Sequence, residues 1–232
     1  MPPSPTQSAP WISTLADDRS SIGRSSTAAR VADVLRSRVI EGLLSPGTRL
    51  SEEEIGEALG VSRNTLREAF RLLTHERLLE HQFNRGVFVR SLTSDDIRDL
   101  YQLRRMLECG ALRYAAAADG VDLTAVRAAV ADGEQAGEAQ DWPAVGTANM
   151  HFHQAIGALA RSARIDESMQ HLLAELRLVF HVMNDPHAFH QPYLVENRAL
   201  LDLLDAGRYD DAVDELSAYL DRAEQQLLDA MA

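Results

Sequence analysis

The fold of this chain is decided by the stretch SEEEIGEALGVSRNTLREAFR at residues 51–71. Two amphipathic segments meet there at the turn Gly60-Val61-Ser62, and Ser51 and Ser62 each stand where a helix N-cap is expected. In both segments the apolar residues recur at helical spacing, which predicts one buried face on each helix. The residues expected on these faces are Ile55, Ala58, Leu59, Leu66, Ala69, Phe70 and Leu73. The stretch therefore predicts a helix-turn-helix.

The outer surface of the second helix carries side chains that suit DNA. Arg63, Asn64 and Arg67 point outward from its first two turns, with Thr65 between them. Arginine can bind guanine or clamp a phosphate, asparagine can pair with adenine, and free amides at a helix N-terminus favour an anion. The pattern is typical of a recognition helix that enters the major groove N-terminus first. A helical hairpin with charged outer residues is also common in all-α proteins, so this motif alone leaves that alternative open.

A β-hairpin is predicted directly afterwards, at residues 78–90. Phe83, Val87 and Val89 supply strand character, and Asn84-Arg85-Gly86 supplies the turn. A hairpin in this place is a wing. Its Gly86 would let the tip approach the DNA backbone closely, and its Arg85 would contact phosphate or the minor groove.

The segments before the helix-turn-helix complete the unit. An amphipathic helix is predicted over residues 28–41, and Ser45-Pro46-Gly47 then turns the chain into Thr48-Arg49-Leu50. Together the segments predict a winged helix over residues 27–92. Residues 1–26 are rich in Ser, Pro and Thr and lack the apolar core of a signal peptide, so we expect a disordered tail there.

This unit resembles the DNA-binding domain of the GntR family of bacterial regulators. The resemblance implies a homodimer on a short inverted repeat of double-stranded DNA, with Arg63 and Arg67 in the major groove and Gly86 at the wing tip. Asn64-Thr65-Leu66 replaces the family's more usual Thr-Pro-Val, which bears on the bases that are read. The matching blocks are Pro46-Gly47-Thr48-Arg49-Leu50, Gly60-Val61-Ser62-Arg63, Leu66-Arg67-Glu68-Ala69 and Asn84-Arg85-Gly86-Val87. The residues expected at the DNA are Arg49, Ser62, Arg63, Asn64, Thr65, Arg67, Arg85 and Gly86.

Charge is distributed unevenly along the chain, whose net charge is −12. Residues 1–92 hold 12 Arg against 11 acidic residues, whereas residues 93–232 hold 11 Arg against 24. The nearly neutral first part predicts weak non-specific DNA binding, so contact must come from a few placed arginines. No apolar run approaches a membrane span, so no membrane partner is expected. The lone Cys109 excludes an internal disulfide and fits the cytosol.

Residues 93–232 are predicted to be helical throughout, which gives a mainly α chain: a winged helix-turn-helix with a small hairpin, then an antiparallel helical bundle. Ser94 is expected to cap the first bundle helix, and Trp142-Pro143 to begin the third. The stretch 184–192 is predicted to be a loop because it holds two prolines. The expected helices lie at about residues 94–118, 122–138, 142–161, 164–183, 193–206 and 209–231.

The bundle resembles the FCD-type ligand-binding domain of the FadR-like branch of the same family. The resemblance rests on Leu103-Arg104-Arg105-Met106-Leu107-Glu108, Ala115–Ala118, Phe152-His153, Ala199–Gly207 and the residues from Ala212 onward. It implies a sensor of small carboxylates, often with a divalent metal held by Asp or Asn, a His four residues later, and two further His.

Here the matching positions are Asn149, His153, Asn197 and Tyr219. Asn and Tyr are poor ligands for zinc or nickel, which leaves only Asn149 and His153 as candidate metal ligands. Four other histidines could substitute. They are His151, His181, His187 and His190. A structural alternative for His153 is a core histidine that is hydrogen-bonded to Asn149 or Tyr219.

A pocket could persist without metal. Arg104 lies near Leu100, Leu103 and Leu107 on the first bundle helix and could clamp a carboxylate through two parallel hydrogen bonds. In the alternative interpretation Arg104 pairs with Glu108 as ordinary helix surface. The residues expected at the effector are Arg104, Asn149, His153, Asn197 and Tyr219.

The sequence thus predicts a sequence-specific DNA-binding transcriptional regulator, a repressor by resemblance, controlled by a small organic acid or related metabolite. One alternative is a helical dimerisation module that binds DNA constitutively and senses nothing. A remoter one is a metal-dependent hydrolase, which is disfavoured because no nucleophile stands beside a histidine in a recognisable motif. We therefore expect that the protein is not an enzyme.

Overall fold

The computed structural model describes residues 26–40, 43–180 and 186–231. It confirms the predicted class, which is mainly helical with one small antiparallel sheet. Residues 1–25 of the expected tail (1–26), His181 and residues 184–185 of the expected loop lie outside the described residues. The elements of the N-terminal unit are α1 (Thr27–Ile40), β1 (Arg49–Leu50), α2 (Glu52–Leu59), α3 (Arg63–His75), β2 (Leu79–Gln82) and β3 (Gly86–Val89).

The turn between α2 and α3 forms as its residues predict. Ser51 Oγ accepts a hydrogen bond from Glu54 N at 3.3 Å, and Ser62 Oγ accepts one from Thr65 N at 3.2 Å. Gly60 adopts the left-handed conformation, with φ of 63°, and ends α2. The predicted buried face of α3 is confirmed at Leu66, Ala69, Phe70 and Leu73.

The predicted face of α2 was partly wrong. Ala58 and Leu59 are exposed, Ile55 is half-buried, and Gly56 is buried. The backbone of α2 at Gly56 packs against Val61 and Leu66, and a Cβ there would lie 3.4 Å from Val61 O. The inner face of this short helix is therefore centred on Gly56 rather than on Ala58 and Leu59.

The wing contains more than the predicted hairpin. β2 and β3 pair antiparallel, and β1 pairs with the other edge of β3 to give the strand order β1-β3-β2. Phe83 was expected to be a strand residue, but it lies in the turn with 85% of its surface exposed. Phe88 takes the strand position instead and is half-buried.

The second part of the chain is a helical bundle. Its first helix is continuous and consists of two α-helical segments, α4 and α5, with one π-helical turn between them. The elements are α4 (Ser94–Arg104), the π turn (Arg105–Cys109), α5 (Gly110–Ala116), α6 (Thr124–Glu138), α7 (Trp142–Ala158), α8 (Ala163–Phe180), α9 (Pro186–Asp205) and α10 (Tyr209–Ala230).

Two expectations for the bundle were wrong. The N-cap of α4 is Thr93 rather than Ser94, because Thr93 and Asp96 form a reciprocal capping box. Residues 186–192 are helical rather than a loop. Pro186 lies in the first turn, where proline is tolerated, and Phe189 and Tyr193 are buried in the bundle core on either side of Pro192.

Helix α8 connects the two parts of the molecule. Most of its buried residues lie in the bundle core, but Leu178 packs into the core of the winged helix. Beside it, the Arg90 guanidinium bridges Glu175 of α8 and Asp96 of α4. A shift of α8 would therefore change contacts in both the helical bundle and the winged helix. The domain limits at residues 27–92 and 93–232 remain a prediction. Among the described helices, none is both long and apolar enough to cross a membrane.

Candidate DNA interface and buried polar centre

The N-terminal turns of α3 present an exposed polar surface. Arg63, Asn64 and Arg67 are all exposed, and 69% of the Arg67 side chain is open to solvent. The hydroxyls of Ser62 and Thr65 lie 2.9 Å apart and form a hydrogen bond with each other. These two residues therefore order the helix start, which leaves its arginines and asparagine as the groups available to bases.

Arg67 forms an ion pair in the free protein. Its Nε lies 3.2 Å from Glu52 Oε1, across the turn from α3 to α2. An open groove of about 530 Å³ runs between α2, α3 and the wing, and its lining includes Glu52, Glu53, Glu54 and Arg63. DNA would have to draw Arg67 away from Glu52, and these acidic side chains disfavour non-specific contact with phosphates.

The wing tip adds cations to the same groove. Gly86 has a φ of 106°, a conformation that suits glycine, and Arg49 Nε lies 3.5 Å from the place where a Cβ would stand. Arg85 is exposed, and its guanidinium carbon lies 5.4 Å from the centroid of the Phe88 ring. Gly86 thus keeps the tip thin while Arg49 and Arg85 flank it.

A second polar cluster lies inside the bundle. Arg104 and Glu108 were interpreted as a possible surface pair, but their side chains are only 2% and 0% exposed. Arg104 Nε donates to Glu108 Oε1 at 2.8 Å, and Glu108 Oε2 lies 2.6 Å from His153 Nδ1. The arginine is therefore on the inner face, as the effector hypothesis requires, but it already holds a carboxylate.

The hydrogen-bond chain continues beyond His153. His153 Nε2 lies 3.1 Å from the Tyr219 hydroxyl, which is 3.0 Å from Asn149 Oδ1. Asn197 Nδ2 donates to the same Asn149 oxygen at 2.8 Å. All the sequence-predicted effector residues thus meet in one buried cluster, which we call the polar centre. It consists of Arg104, Glu108, Asn149, His153, Asn197 and Tyr219.

The polar centre is close to electrically neutral. Burial by itself raises the pKa of the Glu108 carboxyl, yet Arg104 and His153 together hold that pKa below its usual value. Burial lowers the pKa of His153, despite the opposing effect of Glu108. Arg104 stays charged, since neighbouring Glu108 offsets the cost of its burial and its pKa is raised. At neutral pH one positive and one negative charge therefore balance beside an uncharged imidazole.

Comparison with known sequences decides the family. The profile described as bacterial regulatory proteins, gntR family, matches residues 27–89, and the FCD domain profile matches residues 99–222. The chain belongs to the GntR family of bacterial transcriptional regulators. These are families of regulators rather than enzymes, so the hydrolase alternative is set aside.

Individual relatives agree with the assignment to the GntR family. A transcriptional regulator GntR from Rhodococcus sp. RHA1 has a solved structure that is 47% identical, covers 89% of this chain and 99% of its own, and gives a TM-score of 0.84. The gluconate operon transcriptional repressor of Bacillus licheniformis is 38% identical over 87 residues, which are 38% of this chain and 35% of the repressor. The Nta operon transcriptional regulator of Aminobacter aminovorans is 46% identical over 70 residues, or 30% and 33% of the two chains. These matches span about a third of each curated relative.

The polar centre of this GntR protein does not fit the metal that the FCD resemblance implies. Both ring nitrogens of His153 face partners, Glu108 and Tyr219, and the Asn149 oxygen faces two donors. Among the described residues, no group of three or more His, Cys, Asp or Glu side chains is arranged to hold a metal ion. His151 is exposed and His190 is buried, and neither belongs to such a group. A carboxylate on the far nitrogen of a metal-binding histidine is nevertheless common around metal sites, and Glu108 holds that position on His153.

This arrangement leads to a prediction about zinc. The variant Asn197→His/Tyr219→His should bind about one zinc ion per chain, because three imidazoles would then converge beside Asn149. Elemental analysis after exposure to zinc and gel filtration measures the content, and the single variants serve as controls. Wild-type protein that retains zinc equally well would contradict the poor fit of its own residues.

Two members of this region were not among the expected effector residues. Glu108 was considered only in the alternative interpretation, as a surface partner of Arg104, although its spacing of four from both Arg104 and Leu112 places it on the buried stripe. His190 is buried at 5% exposure near the Asn149–Asn197 pair, within the stretch that was expected to be a loop. Helical periodicity could have found Glu108, whereas His190 depended on recognising that Pro192 lies inside a helix.

Proposed function

We propose that the protein is a sequence-specific DNA-binding transcriptional regulator whose α3 enters the major groove. The observation that carries the proposal is the exposed group of Arg63, Asn64 and Arg67 at a serine-capped helix start, beside a wing that exposes Arg49 and Arg85. A helical hairpin with a purely structural role needs no such pairing of exposed recognition residues with a wing. Repression is the proposed sign of regulation, supported by the B. licheniformis relative that is named a repressor.

Selection from a pool of random DNA duplexes tests the DNA-binding proposal. Repeated binding and amplification should enrich one short inverted repeat, because a two-fold symmetric dimer reads the same half-site twice. The binding buffer should be at physiological salt, where non-specific phosphate contacts are weakened. A pool that shows no enriched sequence after several rounds would contradict specific recognition.

A homodimer is the proposed binding form. An apolar stripe crosses the outer side of the first bundle helix, where Leu103, Met106 and Tyr114 are 42%, 64% and 58% exposed. Gly110 lies between them, and the stripe borders an open cleft of about 510 Å³. A contiguous exposed apolar surface of this kind favours burial against a partner, and a second copy would bring two winged helices together.

A charge in the stripe should separate the copies. Met106→Glu is expected to weaken self-association at least about tenfold, since an unpaired carboxylate would be buried in the interface. Operator affinity should fall with it. Analytical ultracentrifugation measures the first effect, and Val195→Glu is a matched control because Val195 is 73% exposed on α9. Equal association of both variants and wild type would place the interface elsewhere.

Effector control is the finer part of the proposal. We propose that a small organic acid or related metabolite binds at the polar centre and shifts the bundle between two arrangements, which changes the spacing of the winged helices. Two features support this site. The centre holds polar atoms that lack a partner, among them Arg104 Nη2 and Asn197 Oδ1. Helix α8 also extends from the bundle core to the winged helix, where its Leu178 packs into the core, so a change in one part can be transmitted to the other.

One observation favours the rival function, a dimerisation module without an effector. The space beside Asn149 and Asn197 is a cavity of about 10 Å³, enough for roughly one water molecule. Thermal unfolding in the presence of metabolites distinguishes the two functions, because a ligand of the folded state raises the Tm. A broad panel that leaves the Tm unchanged would favour the module.

A further inference from the structure

We infer that Phe83 at the wing tip enters the minor groove as a wedge, partly separates two stacked base pairs and bends the DNA. The inference rests on the proposed regulator function and extends it, because it adds deformation of the DNA to recognition by α3. It assigns one further residue to the interface and one feature of the DNA that this residue detects, a base step that unstacks easily.

Phe83 is highly exposed for a large apolar side chain. Its surface is 85% open to solvent, compared with 73% for Val195. The turn does not depend on this ring. Arg85 N donates to Gln82 O at 3.0 Å, and Asn84 takes the left-handed conformation with a φ of 58°. These backbone features close the turn by themselves, so the exposed ring adds little packing that would hold the wing.

The position of Phe83 places it at the edge of the proposed DNA interface. Gln82 and Gly86 form the last pair of the hairpin, so Phe83 is the first residue beyond the paired strands. His81 and Gly86 line the open groove that also contains Arg63 at the start of α3. The ring therefore lies at the outer end of the wing, two residues along the chain from a residue that shares a groove with the recognition helix.

The charges around the ring suit DNA rather than a second copy of the chain. Arg49 and Arg85 are both exposed at the tip, and Arg49 Nε lies 3.5 Å from the place where a Cβ of Gly86 would stand. In the minor groove these cations would lie beside the phosphates on either rim while Phe83 faces the bases. A symmetric contact between two wing tips would instead bring like charges together, which opposes association.

The chemistry of the minor groove fits an inserted phenyl ring. Phenylalanine is one of the apolar side chains that proteins insert between base steps there, and such insertions kink the duplex by about 20–90°. Pyrimidine–purine steps, TA and CA/TG, unstack and bend most easily. We therefore expect one such step under each wing, beside the half-site that α3 contacts. Preference for that step would come from the energy of bending, without a hydrogen bond to a base edge.

Bending and unstacking are measured on the duplex enriched by selection. Energy transfer between dyes at its two ends reports the bend, and 2-aminopurine placed at successive positions reports unstacking. Wild-type protein should bend the duplex and raise the 2-aminopurine fluorescence at one step per half-site. Phe83→Ala should lose both signals and bind at least about fivefold more weakly, because no ring stacks on a base. Phe83→Leu keeps an apolar wedge and should retain most of the bend, and Val195→Ala is the control for loss of an exposed apolar side chain.

Two comparisons separate a wedge from a general disturbance of the wing. Arg85→Ala should reduce the dependence of affinity on salt, whereas Phe83→Ala should leave it unchanged because the ring neutralises no phosphate. Replacing the flexible step by part of a stiff A-tract should weaken binding of wild-type protein but not of Phe83→Ala. The Tm of Phe83→Ala should equal that of wild type, since the ring is exposed.

The outcomes distinguish this inference from the function on which it rests. A duplex that wild type and Phe83→Ala bind and bend alike would overturn the inference and leave the proposed regulator function intact. Weaker binding of Phe83→Ala that accompanies weaker self-association in ultracentrifugation would also overturn it, because the ring would then contact a second copy of the chain. Selection that enriches no duplex would overturn the proposed function, and this extension with it.

Discussion

Arg63→Ala and Arg67→Ala should each weaken specific operator binding by about 1–3 kcal/mol per half-site, or roughly 5- to 150-fold. Both side chains are exposed on the first two turns of α3, where an arginine can fork onto guanine. Arg67 must also leave Glu52, 3.2 Å away, so part of its contribution is offset by the lost ion pair. Titration of a labelled operator duplex by fluorescence anisotropy measures the change.

The control for the recognition arginines is an arginine of similar exposure in the bundle. Arg127 pairs with Asp205 on the surface, and 54% of its side chain is exposed. Arg127→Ala makes the same change in net charge and should leave operator affinity within about twofold. If Arg63→Ala and Arg67→Ala behaved like Arg127→Ala, then α3 would not be the recognition helix.

Arg104→Met should destabilise the protein by about 3–5 kcal/mol, because it leaves the Glu108 carboxylate buried without a counter-charge. Replacing both partners, in Arg104→Met/Glu108→Gln, should recover most of this loss, since the glutamine is neutral and can still hydrogen-bond with His153. Denaturant unfolding measures the free energy of each variant. The double variant should be more stable than the single one, although it carries one more substitution.

The exposed ion pair Arg127–Asp205 is the control for the stability effect of the buried Arg104–Glu108 pair. Arg127→Met should cost no more than about 1 kcal/mol, as for other exposed ion pairs. In the folded fraction of Arg104→Met we expect operator binding to persist and the effector response to disappear. A stability loss for Arg104→Met no larger than that for Arg127→Met would show that the Arg104–Glu108 pair is not buried in solution.

Local sequence chemistry predicted the helix-turn-helix well because its determinants are local. Ser51, Gly60 and Ser62 cap or end helices by contacts with residues close in the chain, and Leu66 and Phe70 face inward by simple periodicity. The strand β1 could not be predicted in this way. Its two residues, Arg49 and Leu50, form a strand only through pairing with Phe88 and Val87 far along the chain.

Tertiary packing explains the main errors in the bundle. Pro192 predicted a loop, but Phe189 stacks edge-on against Tyr193 at 5.6 Å between centroids, and Tyr193 contacts Tyr219 at 4.8 Å. Burial of these rings outweighs the local cost of a proline inside α9. For the polar centre, the resemblance placed Asn149 and Asn197 at two ligand positions of one expected site, and the two side chains are hydrogen-bonded. Helical periodicity indicates the buried side of the first bundle helix for Glu108, but its contact with His153 depends on how α7 packs on that helix, which local sequence does not specify.

The measurement that tests the central claim most directly is hydroxyl-radical footprinting of the wild-type protein on the duplex enriched by selection, together with the stoichiometry of the complex. We predict two chains per duplex and two protected half-sites related by two-fold symmetry, with both protections lost in Arg63→Ala/Arg67→Ala. An asymmetric footprint, a single chain per duplex, or equal protection of a scrambled duplex would contradict the account of a dimeric, sequence-specific regulator.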